Sequence, residues 1–366
     1  MTEIFLTVFF ISVLLFFLGS GIWVALSMIG VSAIGMMLFT SRPVGDAMAT
    51  TIWGTSSSWT LTALPLFVWM GEILFRTKLS ENLFKGLSPW MQKLPGGLIH
   101  VNIVGCALFA AISGSSAATV ATVGKMSIPE LRKRNYPEKI LLGSLAGSGT
   151  LGLLIPPSII LIIYGVAVQE SIAKLFIAGI IPGIMIAIIF MSYVIIWSLI
   201  NKKEMPKILE EYSFLEKVKR STQLLPVILL ILAVIGSIYT GVATATEAAS
   251  LGVVGALILS YFQKSLTLET FKSSLLGATK TSCMIAFILA GSTFLSLAMG
   301  FTGLPRNLAI WIQNMDLSPY VLIFVLMIFY IILGMFLDGI SAVVLTMAII
   351  EPMMRQAGFG MIWFVL

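Results

Sequence analysis

The sequence predicts an all-α polytopic membrane protein of two inverted-topology repeats, with re-entrant hairpins, broken helices and a truncated second repeat. Three observations predict it. Of the 366 residues, 58% are hydrophobic and only 10% charged, whereas a soluble globular chain carries roughly 25% charged residues. Charge-free stretches run between Glu3 and Arg42, Lys139 and Glu170, Lys174 and Lys202, and Arg220 and Glu247; a spanning helix needs about 20 apolar residues. The third observation is a weak but collinear internal repeat.

The repeat aligns GSGIWVALSMIGVSAIG (19–35) with YTGVATATEAASLGVVG (239–255), setting Gly21 on Gly241 and Gly35 on Gly255. Further on, IPELRKRNY (128–136) aligns with EPMMRQAGF (351–359), matching Pro129 to Pro352 and Arg132 to Arg355. The first half then runs over 1–205 and the second over 220–366, joined by a charged cytoplasmic linker at 206–219. Cys106 and Cys283 lie in apolar segments and read as plain core residues.

Taken in order, the first half holds spans at 3–18 and 22–40. The opening MTEIFLTVFF lacks a basic n-region and a cleavage site, so it reads as a span. Residues 43–76 are polar in the middle and charged at both ends, which suits a hairpin whose tip is TSSSW, with Ser56, Ser57 and Ser58. The segment 79–94 is amphipathic and lies along the surface. Interrupted spans at 97–124 and 140–168 and a span at 173–200 follow. Five crossings are an odd number, so the second half starts on the opposite face and runs upside down.

Charge tests that topology. Loops 125–139 and 201–220 share a face with 264–306, and that face holds 15 of the 22 Lys and Arg residues, leaving seven. Basic loops stay in the cytoplasm, which puts the N-terminus outside. A parallel, six-crossing arrangement would also keep the two large basic loops inside, but it would leave TSSSW facing lipid. The net charge of +6 is spread over short loops and forms no basic face, so no nucleic-acid partner is expected.

The candidate site starts at ISGSSAAT (112–119). Gly114 permits backbone closed to other residues, while Ser113, Ser115, Ser116 and Thr119 supply hydroxyl oxygens. Carbonyls and hydroxyls at a break form a hard oxygen cage suited to Na⁺, and the resuming helix offers its N-terminal amides to an anion. Close helix packing by small residues is the competing reading. A second interruption follows at once in 141–165, which holds Gly143, Gly147, Gly149 and Gly152 and then Pro156 and Pro157; two prolines in succession break a helix.

Its second-half counterpart, GMFLDGISAVVLT (334–346), contains Gly334, Asp338, Gly339 and Ser341, and sets Asp338 opposite Ser115. An intramembrane carboxylate is a functional candidate. Na⁺ coordination through Ser115, Ser116 and Asp338, or proton coupling, stands against structural pairing. Arg306 either pairs with a substrate carboxylate or caps the cytoplasmic end. Glu247 reads as bonded to a neighbouring helix, and Glu72 and His100 as solvated near membrane ends. His100 is the sole histidine and has no evident carboxylate partner, which argues against an intramembrane enzyme. No resident cofactor is expected beyond Na⁺ as coupling ion.

ISGSSAATVATVG…IPELRKRNY, GSGTLGLLIPPSIILIIYG, IAKLFIAGIIPG, TATEAA and GMFLDGISAVV, in this order over nearly the whole chain, resemble the large membrane subunit of the tripartite ATP-independent periplasmic (TRAP) transporters. The resemblance implies an elevator-type ion transporter fold in a bacterial inner membrane, with the N-terminus periplasmic. It implies Na⁺-driven import of a small anionic organic substrate: a C4-dicarboxylate, another carboxylate or a sialic acid. Two partners are implied, a small four-helix membrane subunit and a periplasmic substrate-binding protein. A stand-alone Na⁺- or H⁺-coupled anion symporter of related fold is the alternative. At an offset of 223, Gly143 meets Leu366, so the second half is expected to lack its own proline-broken span.

Overall fold

The computed structural model describes residues 2–77, 79–206, 212–304, 307, 310, 318–335 and 339–366. Among them are eighteen α-helices and no strand. The apolar N-terminal run forms α1 (Thr2–Gly19) and α2 (Val24–Phe39). α3 (Val44–Ser56) ends within the TSSSW stretch, which continues through a turn into a 3-10 helix (Trp59–Thr62) and then α4 (Ala63–Phe75). After α5 (Leu79–Met91) come α6 (Ile99–Ser113), α7 (Ser116–Lys133), α8 (Glu138–Gly149), the single turn α9 (Leu151–Leu154) and α10 (Ile159–Ala167). α11 (Ile172–Ile200), α12 (Phe214–Ser221), α13 (Leu225–Tyr239), α14 (Ala245–Phe262) and α15 (Leu268–Thr302) follow. The last described helices are α16 (Pro319–Gly334), α17 (Gly339–Gln356) and α18 (Met361–Val365). Among the described helices, α11, α14 and α15 are each long and apolar enough to cross a bilayer unaided.

Two compact units emerge, each drawing chain from both sequence halves: residues 1–61, 163–170 and 282–365 form one, and 62–162, 171–281 and Leu366 the other. In the first unit, Phe9 meets Phe39 edge to face at 5.0 Å, and Phe10 fills the space left open at Gly35. Met36, Phe294 and Ala298 form a buried cluster there. In the second unit, α4 lies on α14, where Gly252 makes room for the Met70 sulfur, and α6 packs on α7, α8 and α11. Its core is Ile99, Ile103, Ala110, Ile140, Leu151 and Val194.

Four features depart from the sequence expectations. First, 97–124 is not one interrupted crossing. A Cβ on Gly105 would lie in ordinary contact with Val123 Cγ1 (3.6 Å), whereas eighteen residues of continuous helix would separate the two residues by about 27 Å. The arms α6 and α7 double back at Gly114 as a helical hairpin. Second, 268–302 is a single helix of 35 residues, about 50 Å long at 1.5 Å per residue. Residues 264–306, expected to lie on one face with the two basic loops, therefore hold a helix too long to stay at one face.

Third, the surface helix α5 shares an end of its unit with the linker. Trp90 donates its indole N–H to Ser221 at the end of α12 (2.8 Å), and Arg76 at the end of α4 donates to Ser273 in the first turns of α15 (2.9 Å). These contacts bring α5 against α12, and the end of α4 against the start of α15. Fourth, single residues differ. Cys106 is buried but Cys283 is exposed, so only one of the two is a core residue. His100 is fully buried, with Nε2 bonded to the Pro95 carbonyl (2.7 Å), and is not interfacially solvated. Glu72 pairs with Arg76 and packs against Gly277. Glu247 closes a capping box with Thr244 on its own helix, and not a bond to a neighbouring one.

The repeat has a local structural signature. Gly21 and Gly241 are both left-handed, at φ 78° and 73°. Each donates its N–H three residues back, to Leu18 (3.0 Å) and to Ile238 (3.1 Å). At the second aligned block, Asn135 and Gly358 are left-handed at φ 57° and 82°. The next residues, Tyr136 and Phe359, donate to Leu131 and Met354, both at 3.1 Å. These four positions close helices in the same way, and they pair as the sequence alignment pairs them.

Candidate functional site

α6 ends at Ser113 because Gly114 takes φ 58°, donating its N–H to the Ala110 carbonyl (3.0 Å). This is the left-handed cap that glycine adopts without a Cβ penalty. Ser115 is extended, and its hydroxyl accepts from the Ala118 N–H as N-cap of α7 (3.4 Å). Thr119 donates its hydroxyl to the Ser115 carbonyl (2.7 Å), and the Ser113 and Thr119 hydroxyls bond to each other (2.9 Å). Ser113 and Thr119 are buried. Their hydroxyls hold the tip closed. The half-exposed Ser116 hydroxyl has no hydrogen-bond partner among the described residues.

The second interruption lies directly against this tip. α8 and α9 end at a stretch containing Pro156 and Pro157, beyond which α10 leaves at 41°. The Ile159 N–H, first of α10, donates to the Gly114 carbonyl (3.2 Å). A Cβ on Gly114 would sit 2.8 Å from the Pro157 carbonyl oxygen, and one on Gly152 would sit 2.8 Å from the Ser115 carbonyl carbon. Gly149 faces Val120 and approaches the Ser116 carbonyl oxygen. Thus Ser113, Gly114, Ser115, Ser116, Thr119, Gly149, Pro156 and Pro157 form one cluster, at two helix breaks that meet backbone to backbone.

Two contributors escape the sequence reading. Gly71 of α4 backs the tip, its Cβ position 3.1 Å from the Ser113 Cα. The signal was present, because Gly71 is the one glycine in α4. Ser158 donates its hydroxyl to the Leu153 carbonyl (2.5 Å), closing the turn at the prolines. Among the described residues no group of three His, Cys, Asp or Glu side chains could hold a metal.

Ser56, Ser57 and Ser58 belong to the other unit, where Ser56 ends α3 and the other two follow it. Ser56 and Ser57 are exposed and Ser58 half-buried. Nearby, Thr55 bonds to Thr293 of α15 (2.9 Å). A second hairpin lies in this unit. The Tyr330 and Thr346 hydroxyls bond at 2.7 Å, so α16 and α17 double back as α6 and α7 do. Ser292 secures the returning arm by donating to the Val344 carbonyl (2.6 Å). Gly334 ends the first arm, Gly339 starts the second, and Ser341 is buried. Asp338 and Arg306 lie outside the described residues. Arg355 joins this hairpin to the chain after α10, donating to the Val168 carbonyl (3.1 Å) and pairing with Glu351 (3.0 Å).

Comparison with known proteins points one way. A family model described as tripartite ATP-independent periplasmic transporter, DctM component, matches residues 9–366. The C4-dicarboxylate TRAP transporter large permease protein DctM of Pseudomonas aeruginosa is 32% identical, over 89% of this chain and 76% of its own length. The sialic acid TRAP transporter large permease protein SiaM of Vibrio cholerae is 30% identical, over 94% and 80%. The isethionate TRAP transporter permease protein DctMQ of Oleidesulfovibrio alaskensis is 28% identical, over 95% of this chain and 54% of that protein.

Proposed function

The chain belongs to the DctM component family of the tripartite ATP-independent periplasmic transporters, and from that premise we propose that it is the permease through which a small organic anion enters the cell, driven by Na⁺. It acts as a carrier and not as an enzyme. One observation carries the site assignment: the Gly114 carbonyl accepts from the Ile159 amide, so two helix breaks share one spot. Non-helical backbone at membrane depth persists only where protein or a wet cavity receives its polar groups, and paired breaks are how secondary carriers build ion and substrate sites. In the second half, the sequence alignment sets Asp338 opposite Ser115, and on our reading the two halves run inverted. The relatives reported above are named for C4-dicarboxylate, sialic acid and isethionate, all organic anions, and this chain's substrate is of that class. A periplasmic binding protein delivers it, and a small membrane subunit, whose fusion DctMQ suggests in name, completes the permease.

Uptake by the reconstituted full chain with its small subunit tests this. Transport of candidate acids should require both a Na⁺ gradient and the binding protein. Equal uptake without the binding protein would make the chain a stand-alone symporter. Ser116→Ala should raise the Na⁺ concentration for half-maximal uptake with little change in thermal stability, because its hydroxyl bonds nothing in the protein. Ser115→Ala removes a helix cap and should cost about 1 kcal/mol in stability as well. Unchanged Na⁺ dependence in both variants would reduce the tip to packing.

We infer from the distribution of Lys and Arg a periplasmic N-terminus, with α5, α12 and the start of α15 cytoplasmic. With the exposed Cys283 replaced, Val242→Cys should react with a membrane-impermeant thiol reagent in intact cells and Ser213→Cys should not. The reverse pattern inverts the topology.

A further inference from the structure

Outside the cluster at Gly114, the most unusual surface is α12. Phe214, Leu215 and Val218 are 72%, 80% and 41% exposed, within a helix of eight residues that also carries Lys217, Lys219 and Arg220. Glu216, the one acid in this helix, is occupied by the capping box with Ser213. α12 is not a loose tail. Trp90 bonds to Ser221, and Gly86 of α5 leaves room for Leu224 at a distance no Cβ would allow (2.7 Å). Phe214 meets the Trp90 ring edge to face at 6.2 Å, and the Lys217 ammonium lies 5.5 Å from the same ring centroid. Arg220 stacks 4.2 Å over Tyr212. After a short turn the chain bends by 56° into the apolar α13.

We propose that α12, seated on α5, is a docking surface for the anionic headgroup layer of the bilayer. Three physical features select that occupant. Aromatic rings beside cations are the composition of a membrane interface, where a ring sits at headgroup level and an ammonium or guanidinium reaches phosphate. The cations of α12 outnumber its single, internally used carboxylate, so an acidic lipid surface complements them and a zwitterionic one does not. The 56° bend next to α13 lets an interfacial helix lie tilted against a span. Lys85 and Lys93, on and just after α5, are exposed and add to the same sign of charge. The proposal rests on the chain crossing a bilayer and not on which solute it carries, and its readout needs no uptake.

A spin label at Leu215→Cys, in the full chain with Cys283→Ser, reports where this face sits. In phosphatidylglycerol vesicles the label should collide with oxygen, which partitions into the acyl region, and be shielded from a water-soluble nickel chelate. In phosphatidylcholine vesicles it should shift toward the chelate. Lys217→Gln, Lys219→Gln and Arg220→Gln combined should cause the same shift in phosphatidylglycerol, while Lys219→Gln alone, which breaks neither ring contact, should shift it part of the way with the thermal unfolding midpoint unchanged. Three results would overturn the proposal. Chelate access in both lipids makes α12 a solvated linker. Oxygen access indifferent to lipid charge and to the triple variant leaves apolar insertion without anionic recognition. Shielding from both reagents makes the face a protein contact, with a second copy or the small subunit.

Discussion

Gly114→Ala is expected to abolish uptake and to lower the thermal unfolding midpoint markedly. Two costs fall on the same atom. The residue is held at φ 58°, and left-handed backbone costs a residue with a Cβ roughly 1–2 kcal/mol. The added methyl would also lie 2.8 Å from the Pro157 carbonyl oxygen and 2.9 Å from the Ile159 nitrogen, both rigid backbone atoms that cannot swing away. Overpacking of that kind costs about 1–3 kcal/mol more. Relief requires the hairpin tip to lift off the proline break, which severs the Ile159-to-Gly114 hydrogen bond and separates the two interruptions. Gly143 supplies the internal control. It lies in α8, a few turns from the same cluster, and a Cβ there meets nothing within 4 Å. Gly143→Ala should be neutral or slightly stabilising, by up to about 1 kcal/mol from helix propensity. If the two alanines behave alike in both uptake and stability, the contact between the breaks does not matter to the protein.

The pair of glycines also shows what a sequence can and cannot reveal here. Both stand in glycine-rich segments, and composition treats them alike. The position of the breaks was legible, because Gly-Ser runs and adjacent prolines act locally on the backbone that carries them. The direction of the chain after a break was not. Nothing in ISGSSAAT distinguishes a kink from a reversal, since α6 and α7 choose antiparallel packing through Gly105 and Val123, nine residues away on either side. The uninterrupted α15 was missed for a related reason. Charge alone set 264–306 on one face, yet within it Ser273 serves Arg76, Ser274 is within reach of the Trp69 indole and Thr279 bonds its own helix. Tertiary partners made polar residues compatible with a long helix. A left-handed helix cap demands a particular backbone, and the aligned segments agree at such positions. Gly21 and Gly241, and Asn135 and Gly358, meet that demand alike although the side chains around them differ.

Asp338→Asn is the second substitution expected to have a large effect, and its argument comes from that same repeat. The alignment that pairs Asn135 with Gly358 at an offset of 223 pairs Ser115 with Asp338. Around that position the described chain repeats the first hairpin: Gly105 faces Val123 in one, and Tyr330 bonds Thr346 in the other. Position 338 is therefore the aligned counterpart of a residue at a hairpin tip, between an arm ending at Gly334 and one starting at Gly339. A carboxylate carried into a membrane costs roughly 2.5–3.5 kcal/mol unless something offsets its charge. No Lys or Arg lies within a helical turn of Asp338 in the sequence, so the counter-charge we expect is a cation that arrives with the substrate. Asparagine keeps the shape and one carbonyl oxygen but removes the charge. The variant should insert and unfold like the wild type while transport falls by an order of magnitude or more, about 1.4 kcal/mol of coupling or greater, and the steep Na⁺ dependence should flatten with it. Asp338→Glu, which restores the charge on a longer arm, should recover part of the Na⁺ response. Normal uptake with unaltered Na⁺ dependence in Asp338→Asn would assign the carboxylate to structure and leave the ion to the hydroxyls and carbonyls at Ser115 and Ser116.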